Sequence, residues 1–172
     1  DDSDDNSFTS EIDYTNHVIT VVFPYNYPKL SDNVLQLSDL KKMRVIADLD
    51  NNVYVYPTLL FMDMTKDNFI TVKEQTGTST EYKVVAEIRK SNECAITKFN
   101  ITSLGLSGII NESTKTISLI SLESIGEVLA DVSISHGATI SPDPTTVALD
   151  YDQDQKVTVT AQNGTTNSTY TI

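Results

Sequence analysis

An internal repeat constrains this 172-residue chain more than any other feature of its sequence. Three segments of the first half recur in the same order in the second half: residues 11–21 resemble 109–119, 47–57 resemble 132–142, and 69–84 resemble 156–172. The difference in residue number between the two members of a matched pair is larger for the first pair than for the other two pairs. Extra residues must therefore lie between the first two blocks of the first copy, within residues 23–43. A repeated order of this kind predicts two domains built on one plan.

Each repeated segment has the residue pattern of a β-strand. Apolar residues alternate with others, as Ile19, Val21 and Phe23 do, and Val, Ile, Thr and Tyr predominate. Period-two alternation of these residue types is typical of half-buried strands. Asn163-Gly164 between two apolar runs is a strong hairpin signal. We therefore predict an all-β fold of two tandem immunoglobulin-like β-sandwich domains.

The extra residues of the first copy have a different pattern. Leu30, Val34, Leu37 and Leu40 recur every three to four residues, which predicts a short helix or a helical loop as an insert in the first domain. The polar stretch 89–94 separates the copies. We therefore predict a first domain over residues 8–91, a second over 92–172, and a disordered acidic tail over 1–7, a segment with no apolar residue to bury.

Composition restricts the functions that such a chain could have. The 24 acidic and 12 basic residues give a formal net charge of −12. This charge argues against a nucleic acid or an anionic membrane surface as partner, because both attract clustered Lys and Arg. No apolar run approaches the roughly 18 residues of a membrane span. One Cys and two His offer little for a zinc site, and we expect neither metal nor cofactor.

No motif for metal binding or catalysis is present. The acidic stretch 150–155 has Gln155 and Ala161 where an EF-hand needs Gly and Glu, so we interpret it as an acidic turn. His17 and His136 belong to different copies, and no G-x-S-x-G motif accompanies either. We therefore expect a protein that is not an enzyme.

The second copy resembles a known family. Residues 132–144 (VSISHGATISPDP), followed by 157–172 (VTVTAQNGTTNSTYTI), are similar to the repeats of Bacteroidetes cell-surface lipoproteins. That resemblance implies immunoglobulin-like or cadherin-like modules of unassigned function on the outer membrane. Their anchor would be a lipid on a Cys that this sequence does not contain. The first copy departs from the pattern, because it has VYVYP at 53–57 and lacks a counterpart of the opening strand ITKFNI (96–101).

The resemblance implies a non-catalytic spacer or scaffold, or a part of a glycan-capture system that contributes to glycan binding. Four tyrosines of the first copy are the candidate ligand-binding residues: Tyr25, Tyr27, Tyr54 and Tyr56. Flat rings on a stiff backbone can stack on sugar rings. The same rings could instead pack against the core or the insert. The alternative function is a protein-binding or adhesion module, so the expected partner is a polysaccharide or another surface protein.

Overall fold

The computed structural model describes residues 8–172, and the predicted tail at 1–7 lies outside the described residues. The fold is all-β, as predicted, and divides into two compact units, the first ending at Arg89 and the second beginning at Lys90. The helical elements among residues 8–172 are two 3-10 turns, Leu37–Leu40 and Thr102–Leu104. In that part of the chain, no helix is both long and apolar enough to cross a membrane.

The first unit is organised around a five-stranded sheet. Its strands are β1 (Ser10–Asp13), β2 (Val18–Pro24), β3 (Met43–Arg44), β4 (Val53–Tyr56), β5 (Phe61–Met62), β6 (Asn68–Glu74) and β7 (Ser79–Arg89). The sheet order is β1-β2-β7-β6-β4, with β2 parallel to β7 and the other neighbours antiparallel. Strands β3 and β5 form a separate two-stranded sheet. Strand β4 is therefore an edge strand.

Alternation along these strands gives the sheet an inner and an outer face. Phe23, Ile70 and Val84 point inward and are buried, together with Leu40 and Met64 from the connections. The residues between them in sequence point to the outer face.

The second unit contains a matching five-stranded sheet and further short strands. They are β8 (Ile96–Ile101), β9 (Leu106–Ser107), β10 (Ile109–Asn111), β11 (Thr116–Ser118), β12 (Glu127–Val128), β13 (Asp131–Ile134), β14 (Thr139–Ser141), β15 (Leu149–Asp150), β16 (Lys156–Thr160) and β17 (Asn167–Thr171). The large sheet has the order β10-β11-β17-β16-β14, and the smaller sheets are β13-β8-β9 and β12-β15. Ile96, Phe99 and Ile101 of β8 share one buried core with Val157 and Val159 of β16.

The two large sheets confirm the internal repeat. Strands β1, β2, β7, β6 and β4 correspond in order and direction to β10, β11, β17, β16 and β14. The turns match as well. Asp13 accepts the amide N–H groups of residues 15 and 16, and Asn111 accepts those of residues 113 and 114. His17 and Lys115 occupy the same turn position, each with φ of 54°. The sequence repeat therefore reflects one sheet plan used twice.

The insert is a loop with one 3-10 turn, which is the helical-loop alternative of the prediction, and a continuous helix does not form. Leu30 has φ of +68°, outside the right-handed helical region, and Val34 bridges to Asn26. Only Leu37–Leu40 is helical, and within it Leu40 is the buried residue. Leu30 is 69% exposed, so of the predicted apolar stripe only Leu40 packs in the core. One packed residue is not enough to stabilise so short a helix.

Candidate functional site

Tyr54 and Tyr56 lie side by side on the outer face of edge strand β4. Their side chains are 63% and 76% exposed, whereas Val53 and Val55 point to the inner face. The strand is fixed by its ladder with β6. The two rings are therefore held in solvent on a stiff backbone.

A third ring extends this surface. Phe69 of β6 points outward and is 55% exposed. Since Tyr56 lies opposite Thr71, Phe69 is its diagonal neighbour two residues away, a separation that aromatic side chains can span. We call Tyr54, Tyr56 and Phe69 the outer aromatic row. Phe69 is not among the predicted ligand-binding residues, although its alternation with Ile70 was the available sequence signal.

Tyr25 and Tyr27 lie elsewhere, in the connection that follows β2. Both are half-buried. The ring of Tyr27 packs on Phe8 with centroids 5.6 Å apart, and its hydroxyl is buried with no hydrogen-bond partner among the described residues. Strands β7 and β6 separate β2 from β4, which is about 14 Å across the sheet. The structure therefore does not bring the two predicted tyrosine pairs together.

The opposite edge of the outer face carries charge instead of rings. Arg89 binds Glu11 with Nη1–Oε1 at 2.7 Å and Glu87 with Nη2–Oε2 at 2.8 Å. Hydrogen bonds from the guanidinium hold the pKa of both carboxyls below the ordinary Glu value and raise the pKa of Arg89. The outer face thus carries exposed rings at β4 and β6, and ion pairs that join edge strand β1 to central strand β7.

The inner face of the same sheet borders a cavity of about 700 Å³. Its walls include Ile19, Val72 and Tyr82 from the sheet and the segment 43–50. The lining is mainly apolar, with Asp48 among its polar residues. The sequence signal for this space was the missing counterpart of ITKFNI in the first copy. This cavity is a second candidate site.

Asp152 of the acidic stretch 150–155 and His17 make local structural contacts. Asp152 accepts the hydroxyl of Ser124 and the amide N–H groups of Ile125 and Gly126, which closes a loop and lowers the pKa of its carboxyl. The ring of His17 packs near Tyr82. Within residues 8–172, no group of three or more His, Cys, Asp or Glu side chains could hold a metal ion.

These features define a tandem β-domain protein with exposed rings on one face of its first sheet and an apolar cavity on the other. Residues 1–86 match the model of a domain of unknown function, DUF5018. The match covers half of the chain, and the chain belongs to that family. Residues 96–172 match a second domain of unknown function, DUF8499.

One solved structure and the curated proteins complete the comparison. The chain is similar to a protein of Bacteroides thetaiotaomicron described as a "putative glycoside hydrolase", with 26% sequence identity and a TM-score of 0.41. The aligned part covers 49% of this chain and 25% of that protein. No curated protein matches the chain significantly.

Proposed function

We propose that the chain is a non-catalytic module of a bacterial cell surface that serves as a spacer or scaffold and binds polysaccharide weakly through its first unit. The observation that carries the binding proposal is the outer aromatic row, with Tyr54 and Tyr56 63% and 76% exposed on one strand face. Single exposed apolar residues are common, but adjacent exposed rings are characteristic of binding surfaces.

The chemistry of the row suits a sugar chain. Aromatic faces can pack on the apolar C–H surfaces of sugar rings, and the two tyrosine hydroxyls can hydrogen-bond the hydroxyl groups. The strand backbone is already ordered, so binding costs little entropy. A shallow surface site gives weak binding, with dissociation constants on the order of 10⁻⁴ to 10⁻³ M, or about 4 to 5.5 kcal/mol.

The proposed location and fold detail follow from the resemblance of residues 132–144 and 157–172 to surface lipoprotein repeats. On this proposal the units are immunoglobulin-like or cadherin-like modules, and a lipid anchor would hold the protein at the outer membrane. The paired sheet plan supports a scaffold role, because a chain can be lengthened by adding a further copy of a module that buries its own core.

A protein partner is the second candidate for the outer aromatic row. Phe69 lacks a hydroxyl, and exposed aromatic residues are enriched at protein interfaces as well. On this alternative the chain is an adhesion module, and the row binds a protein surface.

Affinity electrophoresis against a panel of polysaccharides tests the proposal. The double substitution Tyr54→Ala and Tyr56→Ala should abolish retardation in the gel containing the bound polysaccharide. Tyr14→Ala is the matched control, because Tyr14 is 70% exposed but lies in the β1–β2 turn. Its mobility shift should equal that of the unsubstituted protein.

Three results would overturn the polysaccharide proposal: no retardation at millimolar sugar concentration, equal retardation of the double variant, or loss of retardation in Tyr25→Ala with Tyr27→Ala alone. The last result would move the site to the connection after β2. Binding of a surface protein through the outer aromatic row, without binding of any polysaccharide, would establish the adhesion alternative.

A further inference from the structure

The two units differ in what covers the inner face of the shared sheet. In the second unit, β8 lies on this face and buries Ile96, Phe99 and Ile101 to 2%, 1% and 0% exposure. In the first unit, no strand within residues 8–89 occupies that place. The cavity of about 700 Å³ lies there instead.

The neighbour with which such a strand would pair is present. In the second unit, β13 pairs with β8 in antiparallel register. Residues 46–49 of the first unit correspond to β13, at the spacing that relates 47–57 to 132–142. Among residues 8–172 they belong to no strand pair, and Ile46 and Leu49 are 71% and 40% exposed. Their backbone groups are therefore available for a β-ladder.

The inner face itself also lacks a contact that its counterpart makes. In the second unit, the hydroxyl of Tyr170 accepts the amide N–H of Ile96 at 3.2 Å and ties β8 to the sheet. Tyr82 holds the corresponding position in β7, opposite Ile70 as Tyr170 is opposite Val157. Its hydroxyl has no hydrogen-bond partner within residues 8–172, and its ring lines the cavity.

The charge of Asp48 indicates which residue type a strand in this place would carry opposite it. Lys98 of β8 lies directly opposite Ser133 of β13. The counterpart of Ser133 in the first unit is Asp48, which is exposed at the cavity. A basic residue at the position of Lys98 would therefore face a carboxylate.

We propose that the first unit binds an extended strand of a partner protein, which pairs antiparallel with residues 46–49 and places apolar side chains on the inner face. The partner strand has the chemistry of β8: apolar residues on one face and a basic residue opposite Asp48. This site is separate from the outer aromatic row and goes beyond the proposed function.

A peptide strand fits this groove better than a lipid chain does. The cavity volume lies within the usual range for ligand sites, and an acyl chain could fill the apolar part. An acyl chain offers no N–H or C=O groups, so it would leave the backbone of residues 46–49 without partners. Strand addition satisfies both the apolar face and this backbone edge. Residues 1–7, unlike β8, contain no apolar residue.

The test uses a capped, fluorescently labelled peptide with the sequence of residues 95–102, AITKFNIT, and the full 172-residue chain. We expect saturable binding by fluorescence polarisation, and protection of the amides of residues 46–49 in hydrogen exchange. Leu49→Asp should weaken binding at least tenfold, since Leu49 lines the cavity. Leu104→Asp, at a residue of similar exposure in the second unit, should leave it unchanged.

Two further measurements separate competing explanations. A peptide carrying Phe99→Asp should not bind, whereas circular dichroism should show that Leu49→Asp retains the fold. The proposal is overturned if no peptide binding occurs at millimolar concentration, if Leu49→Asp binds equally well, or if protection appears only in the second unit. If a second copy of the chain displaced the peptide, the groove would be assigned to self-association. Sedimentation would then show dimers, and Leu49→Asp would abolish them. Binding of a fatty acid, but not the peptide, would assign it to a lipid.

Discussion

The substitution Tyr170→Phe removes a single oxygen atom, and we expect it to destabilise the second unit strongly. The side chain of Tyr170 is fully buried at 0% exposure. Its hydroxyl donates to Oε1 of Glu112 at 2.6 Å and accepts from the amide N–H of Ile96 and from Nζ of Lys115, each at 3.2 Å. Phenylalanine fills the same space but can make none of these bonds.

The magnitude follows from these three bonds. An unsatisfied buried N–H at Ile96 costs about 1 to 3 kcal/mol. The bonds to Glu112 and Lys115 add less than fully buried charged bonds would, because both charged side chains are partly exposed and can be rehydrated. We expect a total loss of about 2 to 3 kcal/mol, which corresponds to an increase in the unfolding equilibrium constant of about 30- to 150-fold.

Hydrogen exchange measured by mass spectrometry reports this loss of stability separately for each unit. Amides of β8, β16 and β17 that exchange through unfolding of the second unit should exchange faster by the same factor in Tyr170→Phe. The control is Tyr82→Phe, the equivalent substitution in the first unit, where the hydroxyl has no partner among the described residues. Its effect should be below threefold. Equal effects of the two substitutions, or a change below threefold in Tyr170→Phe, would refute the argument.

Two further predictions concern the second unit. A hydrogen bond from Lys115 is the largest cause that lowers the pKa of Glu112, so the carboxylate stabilises the fold above its unfolded pKa near 4.5, and that contribution is lost as the pH falls through the folded pKa. Glu112→Gln should therefore be less stable than the unsubstituted chain in urea at pH 7 and equally stable in strong acid; an unchanged difference at low pH would contradict this. Gly108→Ala should lower stability by about 1 to 3 kcal/mol in calorimetry, because its Cβ would lie 2.8 Å from Cγ2 of Ile117 and 3.0 Å from the carbonyl oxygen of Phe99. A stability within 0.5 kcal/mol of the unsubstituted chain, about the range of neutral surface changes, would show that β11 shifts freely.

The shared sheet plan was predictable because its determinants are local. Asp13 and Asn111 use the same side-chain oxygen geometry to close the first hairpin of each unit, so short sequences with an acidic or amide residue there specify the same turn. Alternation then fixes which side chains face inward, since a register shift by one residue would expose the whole apolar set. Matching three blocks in sequence was sufficient to match five strands in space.

The candidate sites were harder to predict because they depend on contacts between distant segments. The spacing of Leu30 and Leu40 is compatible with a helix, but only Leu40 packs in the core, and Leu30 is exposed with φ of +68°. Phe69 joins Tyr56 only through the pairing of β6 with β4, which a single-sequence pattern does not reveal. The half-burial of Tyr27 likewise depends on Phe8, nineteen positions earlier in the printed sequence.

The two proposed sites of the first unit lie on opposite faces of one sheet, and this arrangement makes them separable. Tyr54 and Tyr56 point outward from β4, whereas Val53 and Val55 of the same strand line the cavity on the inner face. A ligand on one face contacts none of the side chains on the other. Alanine at both tyrosines should therefore leave peptide binding intact, and Leu49→Asp should leave polysaccharide binding intact. If either substitution impaired both activities, the sheet would be responding as a whole, and neither loss could be assigned to a face. If each impaired one, the first unit would combine a sugar-binding surface with a strand-binding groove, and the second unit, whose β8 already covers its inner face, would serve as the spacer.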